Sequence, residues 1–269
     1  MSAQLAATAT PPVALEVRDI AVHFSGLVAI SRMTFAVPEG SIVSLIGPNG
    51  AGKTTAFNVI TGFLKPTAGK ILYHGTDLTR LSPDRIAALG VVRTFQRTSI
   101  FGGCSVLSNV LTGMHQRGRT ETWGALLRPR WVGDEDARLE AEAAEILDFV
   151  GLQNRADEMA GNLAYGEQRL LGIAIALAAA PKLLLLDEPA AGLNPSETEE
   201  FIGVVKRIRD RGVTVLLVEH DMKMVMGISD TVVVLNHGRI IAEGTPETIQ
   251  HDPDVIRAYL GQGVKHAEA

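Results

Sequence analysis

Hydrophobic residues along the chain are grouped in two ways, and the grouping alternates. Three short runs, at 41–46, 183–186 and 213–218, are apolar almost throughout and have the length of strands. Such unbroken runs are typical of parallel strands that are covered on both faces. Between them lie longer segments in which apolar residues recur with helical spacing. The alternation from 41 to 228 therefore predicts an α/β fold with a parallel sheet at its core.

The region before the first apolar run has a different pattern. Residues 13–40 contain short β-type runs, at 14–19, 20–24 and 33–37, which are separated by turn signals. Short strands joined by turns are typical of antiparallel pairing. We therefore expect an antiparallel β lobe beside the strand at 41–46.

A second region, 97–162, has helical periodicity and no strand-like runs. Its apolar spacing predicts helices at 106–114 and 135–150. The segment between them, at 116–134, is rich in Arg, Gly and Trp and is interpreted as a surface insertion. These observations predict a helical subdomain inserted into the α/β core.

These patterns divide the sequence into a short tail and one large domain. Residues 1–12 are rich in Ala and Thr, lack Lys and Arg, and predict a disordered tail rather than a secretory signal. Residues 13–269 are predicted to form the domain. Within it, 13–95 and 163–269 would build the β lobe and the parallel core, and 96–162 the helical subdomain.

Composition narrows the class of protein. A net charge of −5 and the lack of a basic cluster argue against a nucleic-acid partner. No apolar stretch reaches the roughly 20 residues that span a bilayer as a helix, because the nearest, 170–186, is broken by Pro181 and Lys182. The single cysteine, Cys104, excludes an internal disulfide framework and is interpreted as an inert thiol. A membrane role would therefore require a partner.

The most specific sequence signal begins at Gly47, directly after the first apolar run. Residues 47–54 match the pattern G-x-x-x-x-G-K-[ST], in which glycines let backbone N–H groups approach a phosphate chain. Lys53 would reach the β- and γ-phosphate oxygens, and the Thr54 hydroxyl would bind Mg²⁺. The alternative is an ordinary glycine-rich turn between a strand and a helix. The loop predicts nucleotide binding but leaves the nucleotide open.

Two adjacent acids, Asp187 and Glu188, end the second apolar run. Charges at the end of a buried strand are unfavourable unless they face a metal ion or a water-filled site. Asp187 could therefore bind Mg²⁺, and Glu188 could polarise a water for attack on a γ-phosphate. The alternative is a solvated strand end that carries no chemistry.

Three further residues are candidates for the same site. Phe24 precedes a Ser-Gly turn, where its ring could stack on a base, although a core position fits the sequence almost as well. Gln96 ends a predicted strand and could bind Mg²⁺ or water, whereas an isolated Gln is usually solvated. His220 follows the third apolar run and is expected at the same edge of the sheet as Lys53 and Glu188. The predicted nucleotide-binding residues are Phe24, Gly47, Pro48, Asn49, Gly50, Ala51, Gly52, Lys53, Thr54 and Thr55.

In this order the motifs resemble those of the ATP-binding-cassette (ABC) ATPases, over nearly the whole chain from 15 to 260. Residues 47–55 correspond to the Walker A motif, Gln96 to the Q-loop glutamine, 183–188 to Walker B and His220 to the switch histidine. The signature motif of the family corresponds to Leu163, Ala164, Tyr165, Gly166, Glu167 and Gln168. The resemblance implies a P-loop NTPase core of the RecA-like type with an antiparallel β lobe and an inserted helical subdomain.

The same resemblance implies a chemistry. It implies ATP rather than GTP, with Mg²⁺ held by Thr54, Gln96 and Asp187. It implies catalysis by Glu188, His220 and Gln96. It also implies a head-to-tail pair of ATPase subunits, in which the signature residues of one subunit close over the γ-phosphate held by the other.

Five stretches resemble, more narrowly, the ATP-binding subunits of bacterial branched-chain amino acid importers. They lie at 91–96, 162–166, 190–195, 219–230 and 252–261. This implies import of hydrophobic amino acids from the cytoplasmic face of the inner membrane. The implied partners are a second, different ATPase subunit, two transmembrane permease subunits and, indirectly, a periplasmic substrate-binding protein.

The sequence also departs from the general signature. Ala164 lacks the serine hydroxyl and Tyr165 replaces a glycine, although the narrower family resembles this chain at both positions. Glu167 adds a negative charge where Gln is more usual, which bears on how firmly the pair closes. Asn194 replaces an aspartate, and Ile175 stands where Arg is usual. These departures leave open a nucleotide-binding module that barely hydrolyses ATP.

The sequence is also compatible with two further hypotheses about function. The importer could carry urea, an amide or another small acid. The chain could also be a soluble, non-transport ABC ATPase, although such proteins tend to carry two cassettes, long coiled-coil insertions or basic segments. If it is a transport subunit, the permease is expected to contact 97–110, where Ile100 and Phe101 look exposed.

Overall fold

The computed structural model describes residues 12–94, 100–115 and 130–263. Gln96, the tail up to residue 11 and most of the predicted insertion lie outside the described residues. The strands, in chain order, are β1 Val13–Phe24, β2 Leu27–Pro38, β3 Ile42–Ile46, β4 Ala68–Tyr73, β5 Thr76–Asp77, β6 Val91–Arg93, β7 Leu183–Asp187, β8 Thr214–Val218, β9 Thr231–Asn236 and β10 Arg239–Gly244. The helices are α1 Lys53–Ile60, α2 Pro83–Ala88, α3 Val106–Gly113, α4 Arg130–Val150, α5 Tyr165–Ala178, α6 Pro195–Asp210, α7 Met222–Ile228, α8 Pro246–Gln250 and α9 Pro253–Gly263.

The larger sheet has six strands in the order β10-β9-β3-β8-β7-β6. The strands from β9 to β6 are parallel to their neighbours, and β10 pairs antiparallel with β9. β3, β7 and β8 are buried along their whole length, in agreement with their unbroken apolar sequences. Val218 of β8 pairs with Leu45 of β3 and with Asp187 of β7, so the carboxyl ends of these strands meet at one edge. The predicted parallel core is confirmed.

The smaller sheet is antiparallel and has the order β2-β1-β4-β5. It confirms the predicted lobe, but β1 is one strand where the sequence predicted separate runs at 14–19 and 20–24. Asp19, at the junction of those runs, has a φ of 50°, and the pairing of β1 shifts register around it. An irregularity of this kind bends a strand without ending it. Sequence periodicity is interrupted at the bend, which explains the wrong division.

One hydrophobic cluster joins the two sheets. It includes Leu15 and Ile20 of β1, Leu45 of β3 and Phe57 of α1, which are all inaccessible to solvent. Burial of apolar surface stabilises by roughly 25 cal/mol per Å². The cluster therefore fixes α1, and with it the loop that precedes α1, against the edge where the parallel strands end.

A second cluster lies on the other face of the larger sheet, where α3, α4 and α5 pack together. α3 approaches α5 so closely that a Cβ added at Gly113 would lie 2.3 Å from the carbonyl oxygen of Ile175. The side chain of Ile175 is half-buried against this cluster, which accounts for an apolar residue there. Ile100 also packs against the cluster, so its predicted exposure is wrong, whereas Phe101 is 58% exposed. Among the described residues, none of the helices combines the length and the apolar character that crossing a bilayer requires.

Candidate nucleotide-binding site

The loop between β3 and α1 depends on glycines in specific places. Gly47 has a φ of 153°, and a Cβ there would lie 2.0 Å from the carbonyl oxygen of Leu235. Gly52 precedes α1 with a φ of 111°, and a Cβ there would lie 3.0 Å from the carbonyl oxygen of Ala29. These are conformations and distances that a side chain would disturb. α1 has no acidic residue in its first turn, so no carboxylate of that turn neutralises the positive end of the helix dipole, which can therefore bind an anion.

Lys53, the first residue of α1, is buried in this loop and is 7% exposed. Its Nζ donates to the carbonyl oxygens of Gly47 at 2.6 Å and Pro48 at 3.0 Å. Burial lowers the pKa of the Lys53 ammonium, and the negative charges of Glu188 and Asp187 oppose that change. The lysine therefore lies in the loop and within the field of both acids, as the sequence motifs predict.

A cavity of about 470 Å³ opens beside the loop. It is lined by 49–55 of the loop and α1, by Phe24 and 27–29 of the first hairpin, and by Glu188 and His237. Its volume is in the range of small-molecule sites. Phe24 is 44% exposed, so its ring is available to a flat ligand and is not part of the core. The structure thus brings most of the predicted nucleotide-binding residues and Glu188 to one cavity.

Glu188 leaves β7 in an unusual backbone conformation. Its φ is 46°, a left-handed value that costs a non-glycine residue about 1 kcal/mol or more. Its backbone N–H donates to the carbonyl oxygen of Val218 at 2.8 Å, which holds the residue against the end of β8. The turn brings the Glu188 side chain to the cavity, directly after the buried strand.

Asp187 has a cationic partner that the sequence analysis did not identify. Arg93 Nη2 donates to Asp187 Oδ2 at 2.6 Å, and the two side chains are 8% and 3% exposed. Arg93 Nη1 also donates to Asn58 Oδ1 at 2.7 Å, and the guanidinium lies 5.5 Å from the centre of the Phe57 ring. A metal ion or water is therefore not the only compensation for the Asp187 charge, because a guanidinium supplies part of it.

His220 lies beyond the end of β8, at the same edge of the sheet. Because β8 pairs with β3 and β7, His220 follows the middle one of the three aligned strand ends. Its side chain is 58% exposed, and its backbone N–H donates to Glu219 Oε2 at 2.9 Å. His220 is not among the residues that line the nucleotide cavity. The structure places it at the expected edge without bringing it into the cavity.

The signature residues lie at the start of α5. Ala164 is the N-cap of this helix, and Asn162 lies in a short 3₁₀ turn before it. The Glu167 carboxylate accepts the backbone N–H of Ala164 at 3.0 Å and pairs with Arg155 Nε at 3.2 Å. The charge of Glu167 is therefore used to cap its own helix, so it is compensated within the subunit.

The remaining signature residues pack against their own subunit. Leu163 is buried, and its carbonyl oxygen accepts from Gln168 Nε2 at 3.0 Å. The Tyr165 hydroxyl donates to the carbonyl oxygen of Ala191 at 3.0 Å, and its ring would contact a Cβ at Gly192 at 2.9 Å. A Cβ at Gly166 would lie 2.9 Å from Glu197 Oε1. The start of α5 thus packs closely against the residues that follow β7.

Three residues with a place in this site were missed from the sequence. Arg93 ends β6, the neighbour of β7, and an arginine at the end of a strand beside the acidic one was the available signal. His237 lies in the turn between β9 and β10, and no sequence motif marks it. Glu219 directly precedes His220, and no motif in the sequence marks it as a buried acid. Each of the three meets residues that are distant in sequence: Arg93 pairs with Asp187, Glu219 accepts from Ala190, and His237 lines the cavity with the loop at 49–55.

Comparison with known proteins agrees with this geometry. A family model described as "ABC transporter" matches residues 30–191. A model described as "Branched-chain amino acid ATP-binding cassette transporter" matches residues 239–265. The high-affinity branched-chain amino acid transport ATP-binding protein LivG of Salmonella typhimurium is 47% identical over 92% of this chain and 98% of its own. BraF of Pseudomonas aeruginosa, with the same description, is 46% identical over the same shares.

Solved structures agree as well. An ATP-binding cassette of an ABC transporter in its ADP conformation superposes with a TM-score of 0.82 at 32% identity, covering 93% of this chain and 99% of its own. A nucleotide-free cassette of an ABC transporter gives 0.81 at 32% identity, with 92% and 98% covered. These matches confirm the resemblance in the motifs and the fold that it implies. The chain therefore belongs to the ABC transporter family of ATPases, among its branched-chain amino acid transport ATP-binding proteins.

Proposed function

We propose that this chain binds and hydrolyses ATP to energise an importer of branched-chain amino acids. The observation that carries the proposal is the cavity in which the phosphate-binding loop, Lys53, Glu188 and the exposed ring of Phe24 face the same space. The substrate class is supported by relatives whose names describe branched-chain amino acid transport.

The proposed role of the loop is to hold the triphosphate. Backbone N–H groups of the loop and the start of α1 would face the phosphate oxygens. Lys53, which donates to two loop carbonyls, would exchange those bonds for phosphate oxygens. Phe24 would stack on the adenine ring across the cavity. Together these contacts orient the γ-phosphate toward Glu188.

The residues present fit a Mg²⁺ ion. Mg²⁺ is usually held by one or two protein oxygens together with substrate phosphates, and Thr54 and Asp187 offer a hydroxyl and a carboxylate near the loop. Arg93 pairs with Asp187 through Oδ2, so the second carboxylate oxygen is proposed for the ion or its water. Bound Mg²⁺ would neutralise negative charge on the phosphates. Gln96, which lies outside the described residues, is proposed as a further ligand.

Hydrolysis is assigned to groups at the aligned strand ends. Glu188 would accept a proton from the attacking water, which is the role of a general base. His220 would contact the γ-phosphate and hold it in line, and Gln96 would help to position the water. The exposed position of His220 leaves room for movement toward the phosphate when ATP binds.

The proposed assembly is a head-to-tail pair of ATPase subunits on two permease subunits. Leu163, Ala164, Tyr165, Gly166, Glu167 and Gln168 would face the nucleotide held by the second subunit, which we propose is a different chain. Exposed Phe101 supports a permease contact within 97–110. The complex would lie at the cytoplasmic face of the inner membrane and receive substrate from a periplasmic binding protein.

The test is to purify the chain from membranes with its bound subunits and reconstitute the complex in liposomes. We expect ATP-dependent uptake of leucine, isoleucine or valine. Uptake of urea or an amide in place of these amino acids would overturn the substrate class. Recovery of the chain with RNA or DNA and without membrane subunits would overturn the transport role.

A further inference from the structure

Glu219 is a buried carboxylate at the end of β8, and the proposed mechanism has not used it. Its side chain is 1% exposed. Burying a carboxylate is costly unless hydrogen-bond donors replace the lost water. Three backbone N–H groups do so: Ala190 donates to Oε1 at 2.8 Å, and His220 and Asp221 donate to Oε2 at 2.9 Å and 3.3 Å.

These donors belong to two different segments. Ala190 lies two residues after Glu188, whereas His220 and Asp221 follow β8. One carboxylate therefore joins the backbone beside the proposed general base to the backbone of the proposed phosphate sensor. The imidazole Nδ1 of His220 lies 3.8 Å from the same Glu219 Oε2, so Glu219 lies close to the side chain of His220 as well as to its backbone.

The segment after β7 is held from its other side as well. The carbonyl oxygen of Ala191 accepts from the Tyr165 hydroxyl at 3.0 Å and from Arg169 Nη2 at 3.2 Å. The two successive residues 190 and 191 are thus bonded in opposite directions, one to Glu219 and one to the start of α5. Hydrogen bonds therefore connect α5, the segment after β7 and the His220 backbone within one chain.

We propose that Glu219 is a positioning residue that sets His220 relative to Glu188. The inference rests on the proposed function, because it assigns to Glu219 an effect that reaches ATP through His220. A change at Glu219 would displace the His220 backbone relative to Ala190, because the neighbouring Ala191 stays bonded to Tyr165 and Arg169 of α5. It would leave the phosphate-binding loop, which Glu219 does not contact among the described hydrogen bonds, able to hold ATP.

The donors explain why a carboxylate is needed. A carboxylate only accepts hydrogen bonds, and here both of its oxygens receive backbone N–H groups. Glutamine has nearly the same shape, but its NH₂ group would face one of these N–H groups and leave it unpaired. Glu219→Gln therefore keeps the volume of the side chain but removes the hydrogen bond to either Ala190 or His220.

The test measures ATP turnover by the assembled, reconstituted complex. We expect Glu219→Gln to lower kcat by about 10- to 100-fold, the size of effect that displacement of a catalytic group produces. KM for ATP should stay within about 3-fold, because the loop that binds the phosphates is unchanged. Glu140→Gln makes the same chemical change at an exposed position on α4 and should leave turnover unchanged.

A double variant separates positioning from general damage. Since Glu219 acts through His220, adding Glu219→Gln to His220→Ala should cause no further loss. If His220→Ala keeps normal turnover, the proposed role of His220 fails. If His220→Ala is impaired but Glu219→Gln is not, or if the two losses multiply, only the Glu219 inference is overturned. Should Glu219→Gln fail to assemble, Glu219→Asp, which keeps the charge on a shorter arm, replaces it in the same cycle with the same expected pattern.

Discussion

Arg93 and Asp187 form an ion pair of 2.6 Å in which neither side chain exposes more than 8% of its surface. Asp187 is the proposed metal-binding acid, and Arg93 comes from the adjacent strand β6. The pair shares the edge of the sheet with Lys53, so two cations and two acids lie close together before any nucleotide binds. The site is therefore an arrangement of compensated charges and not an isolated acidic pair.

Removal of Arg93 should destabilise the fold. Arg93→Met leaves the Asp187 carboxylate buried without its guanidinium, a change that costs about 3–5 kcal/mol in comparable pairs. The free energy of unfolding in urea measures the effect. Arg32→Met is the control, because its pair with Asp19 is exposed at 81% and 63% and should contribute little.

A second measurement tests the cause of that loss. Combining Arg93→Met with Asp187→Asn removes both charges and should recover part of the stability, since the buried carboxylate is then absent. Equal instability of the single and double variants would mean that Arg93 acts by packing on Phe57 rather than through its charge.

Glu188→Gln should separate ATP binding from hydrolysis. The amide keeps the shape of the side chain but cannot accept the proton of the attacking water, so turnover should fall by at least ~100-fold. Binding of a fluorescent ATP analogue should remain, because the loop and Phe24 are unchanged. Unaltered turnover in the reconstituted complex would remove Glu188 from the role of general base, and Glu140→Gln again serves as the control for charge.

Two helical glycines should respond in opposite directions to the same substitution. A Cβ at Gly113 would lie 2.3 Å from the carbonyl oxygen of Ile175, so Gly113→Ala must push α3 from α5 and should cost about 1–3 kcal/mol. Gly172, on α5, has no atom within 4 Å of an added Cβ. Gly172→Ala should therefore stabilise by about 1 kcal/mol, the difference in helix propensity. Chemical denaturation of both variants gives the comparison, and destabilisation of both would contradict it.

The alkaline stability limit should depend on Tyr259, near the end of the described chain. Burial raises the pKa of its hydroxyl to about 12, and the backbone of Gly47 opposes that change. An unfolded tyrosine ionises near pH 10, so the folded state keeps a proton that the unfolded state has lost. The stability contributed by the neutral hydroxyl is complete below pH 10 and decreases as the pH rises from 10 to 12.

Phenylalanine at this position isolates that effect. Tyr259→Phe should lessen the decline in the free energy of unfolding between pH 10 and pH 12. If Tyr259→Phe declines as steeply as the unaltered chain, other groups cause the alkaline loss.

The features that the sequence predicted well depend on residues that are close together in the chain. Lys53 was identified from the glycine loop between a strand and a helix, and Glu188 from its position directly after an apolar strand. β3, β7 and β8 were found because strands covered on both faces are apolar at every position.

The features that sequence missed depend on distant contacts. Arg93 meets Asp187 across two adjacent strands separated by a long stretch of chain, and Glu219 meets Ala190 just beyond the ends of β8 and β7. The capping role of Glu167 also depended on where α5 begins, a boundary that periodicity does not resolve within a few residues. A pattern along one chain identifies the strand ends but not which side chains pair across them.

The ring of Tyr165 fills the space that a side chain at position 192 would need, at 2.9 Å from an added Cβ. The packing therefore couples the residues that the two positions can hold. A larger residue at 192 would require a smaller residue at 165, and it would still be strained by the φ of 84° that Gly192 adopts. A glycine at 165, as in the general signature, would in turn lack the hydroxyl bond to Ala191 and would need another means of holding that turn.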